Sequence, residues 1–215
     1  MKLLLTTFIF WLCSTLGAQG QIFISQAIPD SVWNTMQSKT WHNNPYISRQ
    51  DLRYLRISHY DLEGKIHVGE LICNRIIADK LITIFRQLYQ AHYPIQQIRL
   101  PDNYDANDER QMRANNTSCF CYRQVSGSKS LSKHARGLAI DINPLYNPCV
   151  RRSKKDGSQI VQPETAKKYA DRKADYPYKI TRNDLCYKLF IQNGFTWGGA
   201  WRSLKDYQHF EFSDH

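Results

Sequence analysis

The clearest pattern of apolar and polar positions lies in one helix-length stretch of the chain. Between residues 74 and 93, isoleucine, leucine and phenylalanine recur every three or four positions, which places them on one face of an α-helix. Pro94 follows and predicts the end of that helix. A second, shorter helix is predicted from Asn183, as its N-cap, through Ile191, with Asn193-Gly194 ending it.

Shorter runs rich in β-branched and aromatic residues predict strands. Two such runs flank Glu63-Gly64 and favour a hairpin at that turn. The polar stretch 105–113 fits a short helix or an ordered loop. Further strands are predicted over residues 95–100, 120–125, 138–142 and 210–212. Because helices and strands do not alternate regularly, the pattern indicates an α+β fold, a single domain with a small antiparallel sheet flanked by helices.

The first twenty residues differ from the rest of the chain. Lys2 precedes a mostly apolar run, and Ala18-Gln19-Gly20 resembles a signal-peptide cleavage site. We therefore expect a signal peptide at 1–20 and a folded domain at 21–215, whose first part, 21–50, wraps the surface. A membrane anchor is the alternative, but the run is short for a span. The expected protein is exported to the periplasm or the extracellular space, without stable membrane insertion after cleavage.

Charge narrows the range of partners. The chain has 215 residues and a formal net charge of +10 at pH 7, which attracts an exported protein to anionic polymers such as cell wall. The positive residues are scattered, so we do not expect nucleic-acid binding. The densest basic run, Arg151 to Lys155, is interpreted as a solvated loop.

Cysteine usage leaves one pairing question open. Apart from Cys13 in the expected signal peptide, the cysteines are Cys73, Cys119, Cys121, Cys149 and Cys186. An odd number leaves at least one thiol unpaired. Since export permits disulfides, we expect one, from Cys119 or Cys121 to Cys149.

Two short segments about seventy residues apart carry the candidate chemistry. The first contains His134 and Asp141, and the second contains Asp206 and His209. Two imidazoles and a carboxylate, with a spare carboxylate nearby, are the ligands and base needed for hydrolysis by a metal-activated water. His134 and Asp141 are seven positions apart, so on one unbroken strand they would face opposite sides. They can meet only if the chain bends, and Arg136-Gly137 is the obvious place.

The segment Ser132-Lys-His134-Ala-Arg-Gly137-Leu-Ala-Ile-Asp141 closely resembles the S-x-H-x-x-G-x-A-x-D signature of the D-alanyl-D-alanine carboxypeptidase and L-alanyl-D-glutamate peptidase family of zinc enzymes. Asp206-Tyr-Gln-His209 is similar to the second motif of that family. Residues 116–123 resemble the segment that presents its active-site arginine. Residues 143–148 and 197–201 resemble the branch that contains phage endolysin peptidases. The resemblance covers about residues 25 to 213 and implies the fold of these carboxypeptidases.

The resemblance implies roles for five residues. His134, Asp141 and His209 are expected to bind Zn²⁺. Asp206 is expected to be the general base, where the carboxypeptidases known for vancomycin resistance carry glutamate. Arg123 is expected to stabilise the oxyanion of the tetrahedral intermediate or to clamp a substrate carboxylate; a structural ion pair is the alternative.

Other residues near these motifs have less certain roles. Ser132 is expected to support the His134 loop by hydrogen bonding. Glu211 is either a partner that orients an imidazole or the true base, and Asp206 is preferred as the base. Trp197 and Trp201 either form a wall of the substrate cleft or pack in the core beside a turn.

The sequence therefore predicts a monomeric zinc peptidase that acts on peptidoglycan stem peptides. The bond is either the terminal D-Ala-D-Ala link or the internal L-Ala-D-Glu link. The alternative is a catalytically silent, zinc-stabilised module that binds cell wall or a protein. A nuclease is disfavoured because the additional acidic metal ligands expected for phosphoryl transfer are lacking.

Overall fold

The computed structural model describes residues 20–125 and 130–214. The expected signal peptide lies outside these residues except for Gly20, and it stays a prediction. The strands are β1 (Phe23–Gln26), β2 (Leu52–Tyr60), β3 (Ile66–Asn74), β4 (Gln97–Ile98), β5 (Asn116–Thr117), β6 (Ala139–Asp141), β7 (Cys149–Arg152), β8 (Gln159–Gln162), β9 (Phe195–Trp197), β10 (Leu204–Asp206) and β11 (His209–Phe212). The α-helices are α1 (Asp30–Met36), α2 (Arg75–Gln90), α3 (Asp108–Arg113) and α4 (Leu185–Gln192). Short 3₁₀ helices occupy Arg49–Asp51, Pro101–Tyr104, Lys133–Arg136, Glu164–Tyr169 and Gly198–Ala200.

The α+β class expected from the sequence is confirmed, but the strands divide among several small sheets. Over the described residues, three antiparallel sheets have the orders β1-β2-β3, β10-β7-β8 and β6-β11-β9. A short parallel pair joins β4 to β5. The predicted hairpin is β2–β3, and Gly64 in its turn adopts a left-handed conformation with φ of 79°. None of the described helices combines the length and the apolar character that a membrane span requires.

Helix α2 supplies one side of the main core. The Asn74 side chain accepts a hydrogen bond from the backbone N–H of Ile76 and so caps the helix. One face packs against β1 and β2, while Ile76 is half exposed. The buried residues of the helix are Ile77, Ala78, Leu81, Ile84, Phe85, Leu88 and Tyr89. The predicted helix is therefore confirmed, although Ile76 does not belong to its buried face.

A second core cluster involves the segment 21–50. Trp33, Met36 and Ile47 from this segment are buried against Leu52 and Ile72 on the hairpin β2–β3. The segment also supplies β1, which pairs with β2. It therefore contributes both hydrogen bonds and apolar packing to the domain.

Several predicted element boundaries are wrong for identifiable reasons. Helix α4 is capped by Asp184, whose side chain accepts from Cys186 N at 2.8 Å, and not by Asn183. The strand predicted over 120–125 does not form. Its backbone N–H groups donate to separate elements: Phe120 to Ile72, Cys121 to His134 and Tyr122 to Thr40. Without one partner strand, the segment is an extended loop.

The expected disulfide is also wrong, since the five cysteines of the described residues are free. The Cys119 thiol donates to the carbonyl oxygen of Gly137 at 3.6 Å. Burial raises the pKa of the Cys149 thiol, and the adjacent Asp206 carboxylate raises it further. Both thiols therefore already have partners other than another cysteine.

Two histidines face each other across the hairpin β2–β3. His59 pairs in register with His67, and their ring centroids are 5.7 Å apart. His67 Nε2 lies 2.7 Å from Asp61 Oδ2, whereas His59 is buried and its Nε2 has no hydrogen-bond partner among the described residues. Burial lowers the pKa of His59 to about 4; His67 lowers it further, while the Ile57 carbonyl and Asp61 oppose the shift. The fold therefore holds His59 neutral at neutral pH.

Candidate metal centre

The first motif bends as its spacing required. His134 lies in the 3₁₀ helix Lys133–Arg136, and Ser132 caps that helix by accepting from the His134 backbone N–H at 3.2 Å. Gly137 follows with φ of 65°, and the chain then enters β6, which ends at Asp141. A Cβ at position 137 would lie 2.6 Å from the backbone nitrogen of Asn74. Glycine therefore satisfies both the left-handed turn and the close approach to the start of α2.

The second motif places its two residues at neighbouring strand ends. Asp206 ends β10 and His209 begins β11, with only two residues between them. Strand β11 pairs antiparallel with β6, and His209 is directly opposite Asp141. Since directly opposite residues of an antiparallel pair share one face, this register brings the two segments together.

Three side chains converge at this point. Their candidate ligand atoms all lie within 4.8 Å of one another. His209 Nδ1 is 3.2 Å from His134 Nε2 and 3.1 Å from Asp141 Oδ1, and His134 Nε2 is 3.4 Å from Asp141 Oδ2. Each imidazole turns its other nitrogen to an acceptor: His134 Nδ1 lies 2.6 Å from the Cys119 carbonyl oxygen, and His209 Nε2 lies 3.1 Å from Glu211 Oε2. Such outer hydrogen bonds fix the tautomer and orientation of metal-binding histidines.

The electrostatics of the site favour a positive charge at its centre. Burial by itself lowers the pKa of His209, but hydrogen bonds to Asp141 and Glu211 raise it to about 10. Burial would raise the pKa of Asp141, yet His134 and His209 hold it well below its usual range. A divalent cation would meet the same electrostatic demand that otherwise keeps a proton on the imidazole.

The donor set fits zinc. Two imidazole nitrogens and one carboxylate oxygen are ligands that Zn²⁺ takes in hydrolytic sites, where a fourth position remains open. Asp206 independently indicates that a further group binds here, because its Oδ1 is buried without a hydrogen-bond partner among the described residues. The same side chain lines the cleft with the three candidate ligands. Burial raises the pKa of Asp206 to about 6, while His209 opposes that rise.

The three candidate ligands lie at the wall of a cleft of about 630 Å³. Arg123 also lines it, and its Nε lies 2.7 Å from Asp108 Oδ2, although its N–H is not aligned for a hydrogen bond. Burial raises the pKa of Asp108, and the charge of Arg123 opposes that rise. The structure thus places Arg123 in the cleft with an acidic neighbour of its own.

The two tryptophans of residues 197–201 lie in different environments. Trp201 lines the cleft, and its ring centroid is 5.2 Å from that of His209. Trp197 is buried in the main core, where its Nε1 donates to the Tyr207 carbonyl oxygen at 2.9 Å. The expectation of a cleft wall is therefore wrong for Trp197. Trp197 ends β9 and is directly opposite Phe210 of β11, which is fully buried. Because opposite residues of an antiparallel pair share a face, the indole points into the core.

Sequence reasoning missed several cleft residues. Asp108 lies in a polar stretch that contains three acidic residues, so nothing marked it as the neighbour of Arg123. Cys149 and Gln162 reach the cleft from the hairpin β7–β8, which had not been predicted. The strands of this hairpin are only four residues each and contain charged and amide side chains, so their apolar alternation is weak.

Comparison with known proteins agrees with the signature. Residues 126–212 match the model of the D-alanyl-D-alanine carboxypeptidase family. Searches of curated proteins and of solved structures found no match to the chain. The matched segment includes the 3₁₀ helix of His134, the strand of Asp141 and the strand of His209. Residues 126–212, which hold all three candidate ligands, are therefore similar to the D-alanyl-D-alanine carboxypeptidase family.

Proposed function

We propose that this protein is a zinc-dependent peptidase that hydrolyses a bond next to alanine in the stem peptide of peptidoglycan. One observation carries the proposal: His134, Asp141 and His209 converge in an open cleft that Asp206 also lines, with its Oδ1 buried. The match of residues 126–212 to the family model supports a zinc peptidase with a substrate of the peptidoglycan type.

The proposed chemistry divides between the metal and the protein. His134 Nε2, His209 Nδ1 and an Asp141 oxygen would hold the ion, which, when bound, supplies Lewis acidity toward the scissile carbonyl and acidifies a water. Asp206 accepts a proton at its carboxylate and later donates it to the leaving amine. A base with a pKa near the working pH is the most effective in this role, and burial moves the pKa of Asp206 in that direction.

Glu211 and Ser132 support these groups from outside. Glu211 accepts from His209 Nε2 and thereby keeps Nδ1 turned to the centre. Because it is bonded to the far side of the imidazole, Glu211 is a poorer candidate than Asp206 for the base. Ser132 fixes the turn that presents His134.

Arg123 is proposed to stabilise the negative charge that develops on the scissile carbonyl oxygen. Its guanidinium lines the cleft with the three metal ligands, and loss of one such donor lowers kcat about 100- to 1000-fold. The acidic neighbour Asp108 holds it in place through charge attraction.

Two peptidase activities are compatible with this proposal, and they differ in the bond that is cut. A D-Ala-D-Ala carboxypeptidase removes the terminal residue, whereas an L-Ala-D-Glu endopeptidase releases the whole peptide beyond L-Ala. Export to the periplasm or the extracellular space would bring either activity to its substrate. The alternative function, a silent zinc-stabilised binding module, predicts a missing base or a closed metal shell. The buried carboxylate of Asp206 in an open cleft favours catalysis.

The test measures zinc in the purified protein and identifies products from defined muropeptides by mass spectrometry. We expect about one zinc per chain in the wild type and in Asp206→Asn, with kcat of that variant about 100- to 10,000-fold lower. Asp79→Asn, an exposed acid on α2, is the matched control and should retain full activity. His209→Ala should lose zinc and activity together. Full activity of Asp206→Asn would reject the base assignment, and stoichiometric zinc with no turnover on any muropeptide would favour the binding module.

A further inference from the structure

Among the described residues, the cleft contains one cationic side chain that no carboxylate neutralises. Arg123 lies beside Asp108, and Lys133 Nζ lies 3.2 Å from Asp214. Arg151 lines the same cleft and is half-buried. Yet neither a hydrogen bond nor an ion pair joins its guanidinium to any residue in the described part of the chain. A half-buried cation without a partner in a substrate cleft favours an anionic ligand group.

Strand pairing directs Arg151 toward the catalytic groups. In the sheet β10-β7-β8, Arg151 is opposite Leu204 and Cys149 is opposite Asp206. Opposite residues of an antiparallel pair share a face, and Cys149, Leu204 and Asp206 all line the cleft with Arg151. Diagonal neighbours on such a face lie about 7–8 Å apart.

The basic run that contains Arg151 is therefore not a uniform solvated loop. Its first two residues lie on β7, where consecutive side chains point to opposite faces. Arg151 faces the cleft, whereas Arg152 is exposed and donates from Nη1 to the Gly157 carbonyl oxygen at 3.1 Å. The interpretation as a solvated segment is wrong for Arg151 because the hairpin β7–β8 turns it inward.

We propose that Arg151 binds a free carboxylate of the substrate peptide, on the leaving-group side of the bond that is cut. This inference rests on the proposed function. A guanidinium binds a carboxylate through two parallel N–H···O bonds. In both candidate bonds the leaving amine belongs to a D-amino acid with a free α-carboxylate, since the D-Glu of the stem peptide continues through its side-chain carboxyl group. One cation next to Asp206 thus serves either substrate.

The first experiment compares each peptide acid with its amide, which has nearly the same shape but no charge. Arg151→Gln should raise KM for the acid about 10- to 100-fold, the usual size of a lost charge-assisted hydrogen bond, with little change in kcat. The amide should bind wild type and Arg151→Gln equally. Arg151→Lys should restore part of the affinity, because it keeps the charge and loses the fork. Arg152→Gln is the matched control and should behave as wild type.

Two arms distinguish the source of the carboxylate. One uses a peptide that ends in D-Ala-D-Ala, with the terminal carboxyl free or amidated. The other uses L-Ala-γ-D-Glu peptides with the α-carboxyl of D-Glu free or amidated. Arg151→Gln should reduce the preference for the acid in the arm whose bond the enzyme cuts. An unchanged ratio of acid to amide KM in both arms would overturn the assignment to Arg151.

A binding measurement separates this inference from the proposed function. Titration calorimetry of the same peptides with wild type and Arg151→Gln needs no turnover. If no peptide is hydrolysed but wild type still prefers the acid and Arg151→Gln does not, the peptidase proposal fails while the carboxylate site stands. If wild type shows no preference for the acid, the carboxylate site is rejected even when hydrolysis is observed.

Discussion

Gly198 offers a sharp test of whether the metal centre depends on close packing beneath it. A Cβ at this position would lie 2.7 Å from the Asp206 carbonyl oxygen, 2.9 Å from Asp206 Cβ and 3.2 Å from His209 Cβ. Ordinary van der Waals contact begins at 3.4 Å, so in Gly198→Ala the backbone of Asp206 must retreat by about 0.7 Å in a close-packed interior. Both the proposed base and a candidate metal ligand would move.

The expected losses follow from that displacement. A misplacement of about 1 Å can cost about 100-fold in rate, so kcat/KM of Gly198→Ala should fall about 10- to 100-fold. Overpacking should also lower the free energy of unfolding by about 1–3 kcal/mol. Hydrolysis of muropeptides and thermal unfolding would be measured on the same preparations, at a temperature where both proteins remain folded.

Gly69→Ala is the matched control for overpacking. Its added Cβ would lie 2.4 Å from Ile98 Cβ in the core beside β4, and no residue of the metal centre is among its nearest neighbours. This variant should lose comparable stability while its folded fraction keeps normal kcat/KM. If Gly198→Ala retained activity within about twofold of wild type, the argument that Asp206 and His209 rest directly on this glycine would be refuted.

Substitutions at three further residues test other parts of the structure. Glu211→Gln should weaken zinc affinity about 10- to 100-fold in a competition titration with a chelator, because the carboxylate that orients His209 is replaced by an amide; unchanged affinity would show that Glu211 has no such role. Asp108→Asn should release Arg123 and so lower kcat about tenfold or more, with zinc content unchanged, and Asp108→Glu should recover part of the lost kcat. A normal kcat for Asp108→Asn would contradict the positioning argument. The unfolded chain protonates His59 below about pH 6.5 and the folded chain only near pH 4, so the free energy of unfolding should fall by about 3 kcal/mol as pH decreases between these values. His59→Gln should flatten that part of the pH–stability curve, and an unaltered slope would show that this histidine does not cause it.

The sequence located the candidate metal ligands better than it predicted the sheets around them. Ligand identity follows from chemistry that is local to each motif: imidazole and carboxylate types, a glycine where the chain must bend, and a fixed spacing to Asp206. The bend at Gly137 was predictable because seven positions along one strand could not bring His134 and Asp141 to one face. The left-handed φ and the crowded approach to Asn74 then supply the physical reason for the glycine.

Short strands were the part that the sequence left open. The hairpin β7–β8 has weak alternation, and the segment 120–125 has strong β character but no partner strand. Intrinsic preference is small compared with the hydrogen bonds that a neighbouring segment offers or withholds. Trp197 shows the same limit for a single side chain, since an indole next to a turn suits the core and the cleft wall equally well.

Local sequence patterns were therefore sufficient to identify the residues that can bind a metal, to predict helix α2 and to predict the α+β class. Tertiary structure alone decided that His209 stands opposite Asp141, that Asp108 accompanies Arg123, and that Arg151 faces the cleft while Arg152 faces solvent. For His209 and Arg151 the reason is that their position depends on the register between strands distant in sequence, whereas Asp108 meets Arg123 because helix α3 lies beside the extended segment 120–125. A shift of one residue would turn the side chain of His209 or Arg151 to the opposite face of its sheet.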